Sequence, residues 1–225
     1  MYKIYFTGSA ELKNETISLL GDKAEISDSF TADTDIIIDA TAYPLETKVK
    51  SLRETDKHSR NIPCLSSSLC HSISYQSTFV ENKERLIGIG IYNTYSENRF
   101  VEIAPSKITS PQILKNAEQF LRDCNINYSI VPDKPGLVFP RILAMIINEA
   151  AQVFAEKIAS LQDIDTAMKL GTNYPYGPLE WADKIGVETV YEILKSLQEE
   201  FGEDRYRPHP VLREMSNLKL KFSDL

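Results

Sequence analysis

Apolar runs and amphipathic stretches alternate along the first part of this chain. "YKIYFTG" (2–8) reads as a strand closed by a glycine turn, and "ELKNETISLLG" (11–21) as a short helix stopping at a glycine. "DIIIDA" (35–40) is a continuous apolar run between polar residues. Such a run needs cover on both faces, the condition of a strand in a parallel sheet flanked by helices. "LETKVKSLRETDK" (45–57) predicts a charged amphipathic helix, with Lys48 on its charged face. "IPCLSS" (62–67), "RLIGIGIY" (85–92), "RFVEIA" (99–104) and "NYSIVP" (127–132) predict strands. "SPQILKNAEQFLRDC" (110–124) has a Ser N-cap, Pro at its first helical position and apolar residues at 113, 114, 117, 120 and 121. Strands alternating with helices predict a doubly wound α/β sheet.

The breaker-dense "PDKPG" (132–136) marks a boundary, dividing the chain into 1–132 and 133–225. Beyond it the strand signal ends. Residues 137–159 predict one long, mostly apolar helix, followed by helices near 161–170, 178–185, 187–201 and 210–217. A helix so apolar must be buried in its own bundle or against a second subunit.

Composition narrows the classes. The 225 residues, 42% hydrophobic and 25% charged, suit an ordinary globular protein. A net charge of −7 argues against a nucleic-acid surface, which needs clustered Lys and Arg. No uninterrupted apolar run is long enough for a membrane span, and "MYKIYFTGSAELK" opens as a strand without the marks of an export signal. Three cysteines without C-x-x-C spacing read as reduced thiols, so a cytoplasmic location is expected.

The most specific motifs lie in the second half: "NEAA", "DIDTAMKLG", "PYGPLEWADKIG" and "EEFGEDRYRPHPVL", in that order within residues 133–215. With them this stretch resembles the C-terminal domain of the 3-hydroxyacyl-CoA dehydrogenases. Upstream, "DTDIIIDATAYPLETKVKSLRETD" (33–56), "SSSL" (66–69) and "RLIGIGIYNTYSENRFVEIA" (85–104) resemble that family's nucleotide-binding domain more loosely. The resemblance implies a Rossmann-like domain, here shortened, followed by a helical domain. It implies NAD as cofactor, an acyl-CoA substrate, oxidation of a 3-hydroxyl in fatty-acid metabolism, and a homodimer formed through the helical domain.

The resemblance also implies site residues. The family's "G-x-H-F-F-N-P" falls on "GIGIYNT" (88–94), so its Asn is Asn93 and its catalytic His is Gly90. Its Glu partner, which orients the His and stabilises its charged form, falls on Glu102. The Ser that binds the substrate oxygen falls on Ser67, and the second Asn on Pro140. On the cofactor side Lys48 matches a lysine beside the nicotinamide half of NAD, and Gly8 alone remains of G-x-G-x-x-G. Glu25 or Asp28 would stand near the place of the acidic ribose ligand. Only residues 9–34 separate Gly8 from "DIIIDA", too few for the family's helical arm that receives CoA. His71 is a remote candidate for a relocated base, set against a plain structural residue, and His209 is read as structural.

Two readings follow. One is an NAD-dependent 3-hydroxyacyl-CoA dehydrogenase with an altered base. The other is a non-catalytic, dimeric binding or scaffold descendant, because glycine offers no proton acceptor and the pyrophosphate loop is incomplete.

Overall fold

Three strands are buried along their whole length: β3 (Ile36–Asp39), β4 (Cys64–Ser67) and β5 (Leu86–Ile89). They lie at the centre of the sheet, as their unbroken apolar runs require. The computed structural model describes residues 1–58 and 61–225, in two compact units, Met1–Leu137 and Val138–Leu225.

In the first unit, among the described residues, the remaining strands are β1 (Tyr2–Thr7), β2 (Ala24–Ser27), β6 (Phe100–Pro105) and β7 (Asn127–Ile130), giving the order β2-β1-β3-β4-β5-β6-β7. All neighbours are parallel except β5 and β6, which form an antiparallel pair. Strand β2 was not expected: four residues, "AEIS", without a fully buried position give almost no pattern to read. The chain steps from β1 to one side for β2 and to the other for β3. That reversal opens a crevice beyond the carboxyl ends of the strands, where ligands of such sheets bind.

Helices α1 (Ala10–Leu20) and α4 (Pro111–Asp123) cover one face. Leu19, Leu20, Ala117, Phe120 and Leu121 pack there on Ile4, Phe6, Ile38, Ile87 and Ile103. Each large side chain contributes about 1.5–3 kcal/mol by leaving water. Pro111 opens α4 as expected, but Ser110 makes no side-chain cap. Helix α2 (Leu45–Asp56) and the short α3 (Ile73–Gln76) go with the other face, where Leu52 and Ile73 meet Tyr5, Ile37, Cys64 and Leu86. The buried stripe of α2 is Lys48, Leu52 and Thr55, so Lys48 lies on the inner face rather than the charged one. Cys64, Cys70 and Cys124 are buried thiols.

The second unit holds helices α5 (Phe139–Ala155), α6 (Leu161–Thr172), α7 (Pro178–Ile185), α8 (Val187–Phe201) and α9 (Pro210–Leu218). Small residues Ala144, Ala150 and Ala151 on the buried stripe of α5 let α7 and α8 approach closely. Trp181 is ringed by Phe139, Tyr174 and Tyr176 at centroid distances of 5.8, 5.9 and 5.8 Å, an aromatic packing cluster. The Asp165 carboxylate caps α7, accepting from the Leu179 and Glu180 N–H groups at 2.8 and 3.0 Å. It lies so close that a Cβ on Gly177 would stand 2.2 Å from the Asp165 side chain, which explains the glycine in "PYGPLEW". Helix α5 is shorter than residues 137–159, with Pro140 in its first turn. Its outer side leaves Ile142 52% exposed and Phe139 37% exposed.

Candidate active site

The antiparallel β5–β6 pair explains a twelve-residue spacing. Ile89 is paired with Ile103, and the next residue, Gly90, donates its N–H to the Glu102 carbonyl at 3.2 Å. Positions 90 and 102 therefore oppose each other across the two strands. Side chains so placed have Cβ atoms about 4.5–5.5 Å apart. A ring at position 90 would meet the Glu102 carboxylate; the hydrogen of Gly90 does not. Glu102 is buried, 8% exposed, and its charge reaches Tyr92. Burial first, then the Glu102 and Glu97 charges, push the Tyr92 phenol up and keep it neutral.

The neighbouring strand brings in the hydroxyls. Ser66 is paired with Gly88, and the Ser68 N–H donates to the Ile89 carbonyl at 3.1 Å. Ser67 closes β4 with 1% exposure. The Ser67 Oγ, the Ser68 Oγ and the Asn93 Oδ1 are buried atoms with no hydrogen-bond partner among the described residues. Orphans of this kind cost about 1–3 kcal/mol each and are rare without a reason. Asn93 precedes Thr94, a β-branched residue at φ +81°, a conformation that costs about 1–3 kcal/mol and collects at functional sites. The strained turn is held by Tyr95, whose buried hydroxyl meets Thr16 Oγ1 at 2.7 Å.

Under Ser67 lies a polar network that the sequence reading missed. Lys48 and Asp39 are both fully buried, 2.8 Å apart. The Lys48 ammonium also donates to Ser66 Oγ at 2.6 Å, and Ser66 donates on to Gln76 Oε1 at 2.7 Å. Gln76 Nε2 then holds the Ser67 and His71 carbonyls at 2.9 and 2.7 Å. On the other side the Asp39 Oδ1 accepts from Thr7, Ser51 and the Thr41 N–H. Burial alone would push the Asp39 carboxyl up. The Lys48 charge, with hydrogen bonds from Lys48, Ser51 and Thr41, outweighs it and holds Asp39 below the usual carboxylate range. A carboxylate closing the apolar run "IIID" was the signal available. Lys48, expected beside a cofactor, directs its ammonium to Asp39 and Ser66.

At the β1–α1 turn, a pyrophosphate cradle would need glycines at positions 8, 10 and 13; the chain has Gly8, Ala10 and Lys13. Gly8 has φ +148°, and a Cβ there would meet Ala40 Cβ at 2.9 Å, so the close approach of two strand ends accounts for it. Ser9 caps α1, its Oγ accepting from the Leu12 N–H at 3.3 Å. These residues do not fit the diphosphate of a dinucleotide.

Against this geometry the comparisons are specific. The family model described as "3-hydroxyacyl-CoA dehydrogenase, NAD binding domain" matches residues 8–131, and "3-hydroxyacyl-CoA dehydrogenase, C-terminal domain" matches 136–221. The chain belongs to the 3-hydroxyacyl-CoA dehydrogenase family. It is 34% identical over 186 residues to a 3-hydroxybutyryl-CoA dehydrogenase of Clostridioides difficile, covering 81% of this chain and 66% of the relative. A mitochondrial hydroxyacyl-coenzyme A dehydrogenase of Homo sapiens is 27% identical over 210 residues, covering 91% and 66%. The chain thus spans about two thirds of the length of these relatives. A crystal structure of (S)-3-hydroxybutyryl-CoA dehydrogenase from Ralstonia eutropha superposes with a TM-score of 0.80 at 25% identity, covering 97% of this chain and 94% of that one.

Other family positions lie elsewhere. Pro140, at the position of the family's second Asn, is buried in α5 of the second unit. His71 is not on a helix following Ser67: the next helix, α3, starts after Ser72, whose hydroxyl caps it, so Ser67 has no capping role. The His209 Nδ1 accepts from the Val211 N–H at 3.3 Å and caps α9. Asp28, after β2, pairs with Lys13. Among the described residues no three His, Cys, Asp or Glu groups could hold a metal, and no helix is long and apolar enough to cross a membrane.

Proposed function

We propose that this family member binds a 3-oxo or 3-hydroxyacyl thioester of the acyl-CoA type without oxidising or reducing it. The observation that carries the reading is Gly90 directly opposite Glu102. The orienting carboxylate remains while the position it would orient has no side chain. Removing a general base lowers a rate by about 10²–10⁴-fold, which takes a median turnover of about 10 s⁻¹ to about 10⁻³–10⁻¹ s⁻¹. The orphaned Ser67 hydroxyl can donate to a ligand oxygen, and the orphaned Asn93 Oδ1 can accept from a ligand O–H or N–H. The network from Asp39 through Lys48, Ser66 and Gln76 fixes the Ser67 carbonyl, so the hydroxyl is positioned before a ligand arrives.

The second reading is a working NAD-dependent 3-hydroxyacyl-CoA dehydrogenase, favoured by the retention of Glu102 and Ser67 at family positions. One experiment separates them. Acetoacetyl-CoA is titrated calorimetrically into the protein without cofactor, and NADH absorbance is followed in a parallel mixture. Saturable heat with flat absorbance supports the binding reading. Falling absorbance supports the dehydrogenase, and neither signal removes both.

The reading includes a homodimer in the cytoplasm. Phe139 and Ile142 on the outer side of α5 and Leu218 at the end of α9 are exposed apolar residues of the helical unit. Sedimentation equilibrium at micromolar concentration is expected to give twice the chain mass; a monomer contradicts it.

A further inference from the structure

The β1–α1 turn does more than lack glycines. We infer that side chains of this chain occupy both anchoring points that a dinucleotide's adenosine half would use, so that the first turn has become a self-capped helix start closed to NAD. This goes beyond the missing base and does not depend on Gly90.

The first anchoring point is the amino end of α1. In a β-turn-α unit the free N–H groups of the first helical turn, with the helix dipole behind them, receive the diphosphate. Here the Leu12 N–H donates to Ser9 Oγ. That donor is thus taken. Glu11 stands exposed in the first turn of α1, and the helix-start groups around it, its own backbone N–H first and then the Ser9 hydroxyl, hold its carboxyl below the usual carboxylate range. Its negative charge stands beside the helix end to which two phosphate charges would have to come, and like charges repel.

The second anchoring point is the end of β2, where an acidic residue would accept from the ribose hydroxyls. Asp28 follows β2 directly, and its carboxylate lies 2.7 Å from Lys13 Nζ. Lys13 stands where the third glycine of the motif would bring helix and strand together. One substitution therefore blocks the close approach and also engages the acid. The two occupations involve different residues and different elements, yet both satisfy from within what a cofactor would otherwise satisfy. Further along α1, Ser96 donates to Glu15 and Tyr95 meets Thr16, so the loop after β5 is tied to the same helix.

The test is recovery of binding. NADH, and separately ADP-ribose, is titrated into the full chain by calorimetry at low salt. The wild-type chain is expected to show no saturable heat below millimolar ligand. The variant Ala10→Gly, Glu11→Gln, Lys13→Gly, with its fold checked by circular dichroism, is expected to bind NADH at least about tenfold more tightly than wild type. Glu11→Gln alone, at a fully exposed site that cannot endanger folding, is expected to gain about two- to fivefold for ADP-ribose. Glu11→Asp is expected to gain nothing. Saturable binding of NADH to the wild type at micromolar concentration would overturn the inference. So would a folded triple variant that binds no better than wild type, or a Glu11→Gln variant without any gain. Acetoacetyl-CoA binding is read separately, so a failure here leaves the thioester reading standing, and the reverse holds too.

Discussion

Two stretches of the same sheet have gone opposite ways. At β4–β5–β6, buried oxygens of Ser67, Ser68 and Asn93 lack partners, and a strained Thr94 holds the turn beside them. At β1–α1 the polar groups have found partners inside the chain: Ser9 caps the helix start and Lys13 pairs with Asp28. Orphaned polar groups carry a cost that a ligand could relieve, whereas groups satisfied from within offer a ligand less. The contrast is the basis of the proposed acyl-thioester binding and of the inferred closure to NAD.

The largest effect expected from breaking this contrast needs both ends repaired. Gly90→His added to the Ala10→Gly, Glu11→Gln, Lys13→Gly variant should raise acetoacetyl-CoA-dependent NADH oxidation by about 10²-fold or more over that variant alone, measured by absorbance. Gly90→His in the otherwise unchanged chain should stay silent, for want of cofactor. Activity from that single change would show that the nucleotide end is open after all.

Next in size is the network between the two ends. Asp39→Asn leaves the buried Lys48 ammonium without its counter-charge and should lower stability by about 3–5 kcal/mol in urea unfolding. The same pair sets a pH dependence. Because the Asp39 carboxyl is held below its unfolded value, its contribution is complete above about pH 4 and is lost as pH falls further, through the folded value. Acid unfolding of the wild type should therefore steepen below pH 4 more than that of Asp39→Asn. Equal slopes would mean that Asp39 is not charged in the fold. In the second unit, Gly177→Ala forces a Cβ onto Asp165 and should cost about 1–3 kcal/mol, read as a lower urea midpoint.

The smallest effect sharpens the contrast most. Ser67→Ala removes an orphan rather than a bond, so stability should not fall and should rise by up to about 1–3 kcal/mol. Acetoacetyl-CoA affinity should drop by about three- to tenfold, the worth of one hydrogen bond. A large loss of stability with unchanged affinity would assign the hydroxyl to the fold.

Much of this was legible in the chain and some was not. "DIIIDA" announced a central strand because burial on both faces leaves no polar positions, and "RLIGIGIY" was legible as a strand. β2 escaped because an edge strand of four residues needs little apolar surface. The Gly90–Glu102 relation was visible only through family resemblance, since opposition across a hairpin depends on register and loop length, which no local pattern encodes. Lys48 was placed on the wrong face of α2 because helical periodicity assigns lysine to water. Its burial depends on Asp39, Ser66 and Gln76, which come from three other elements. Glu11 and Lys13 looked like ordinary helix residues; only the position of Asp28 after β2 shows what they replace.

The most direct test of the account is one mixture: wild-type chain, saturating acetoacetyl-CoA and excess NADH, with NADH absorbance followed over time after calorimetry has shown the thioester to bind. The account predicts a saturable binding heat and an absorbance trace no steeper than the protein-free blank. A steady decline at about 1 s⁻¹ per chain or faster would show that a group able to deliver a proton to the 3-oxygen exists where Gly90 offers none, and would contradict it.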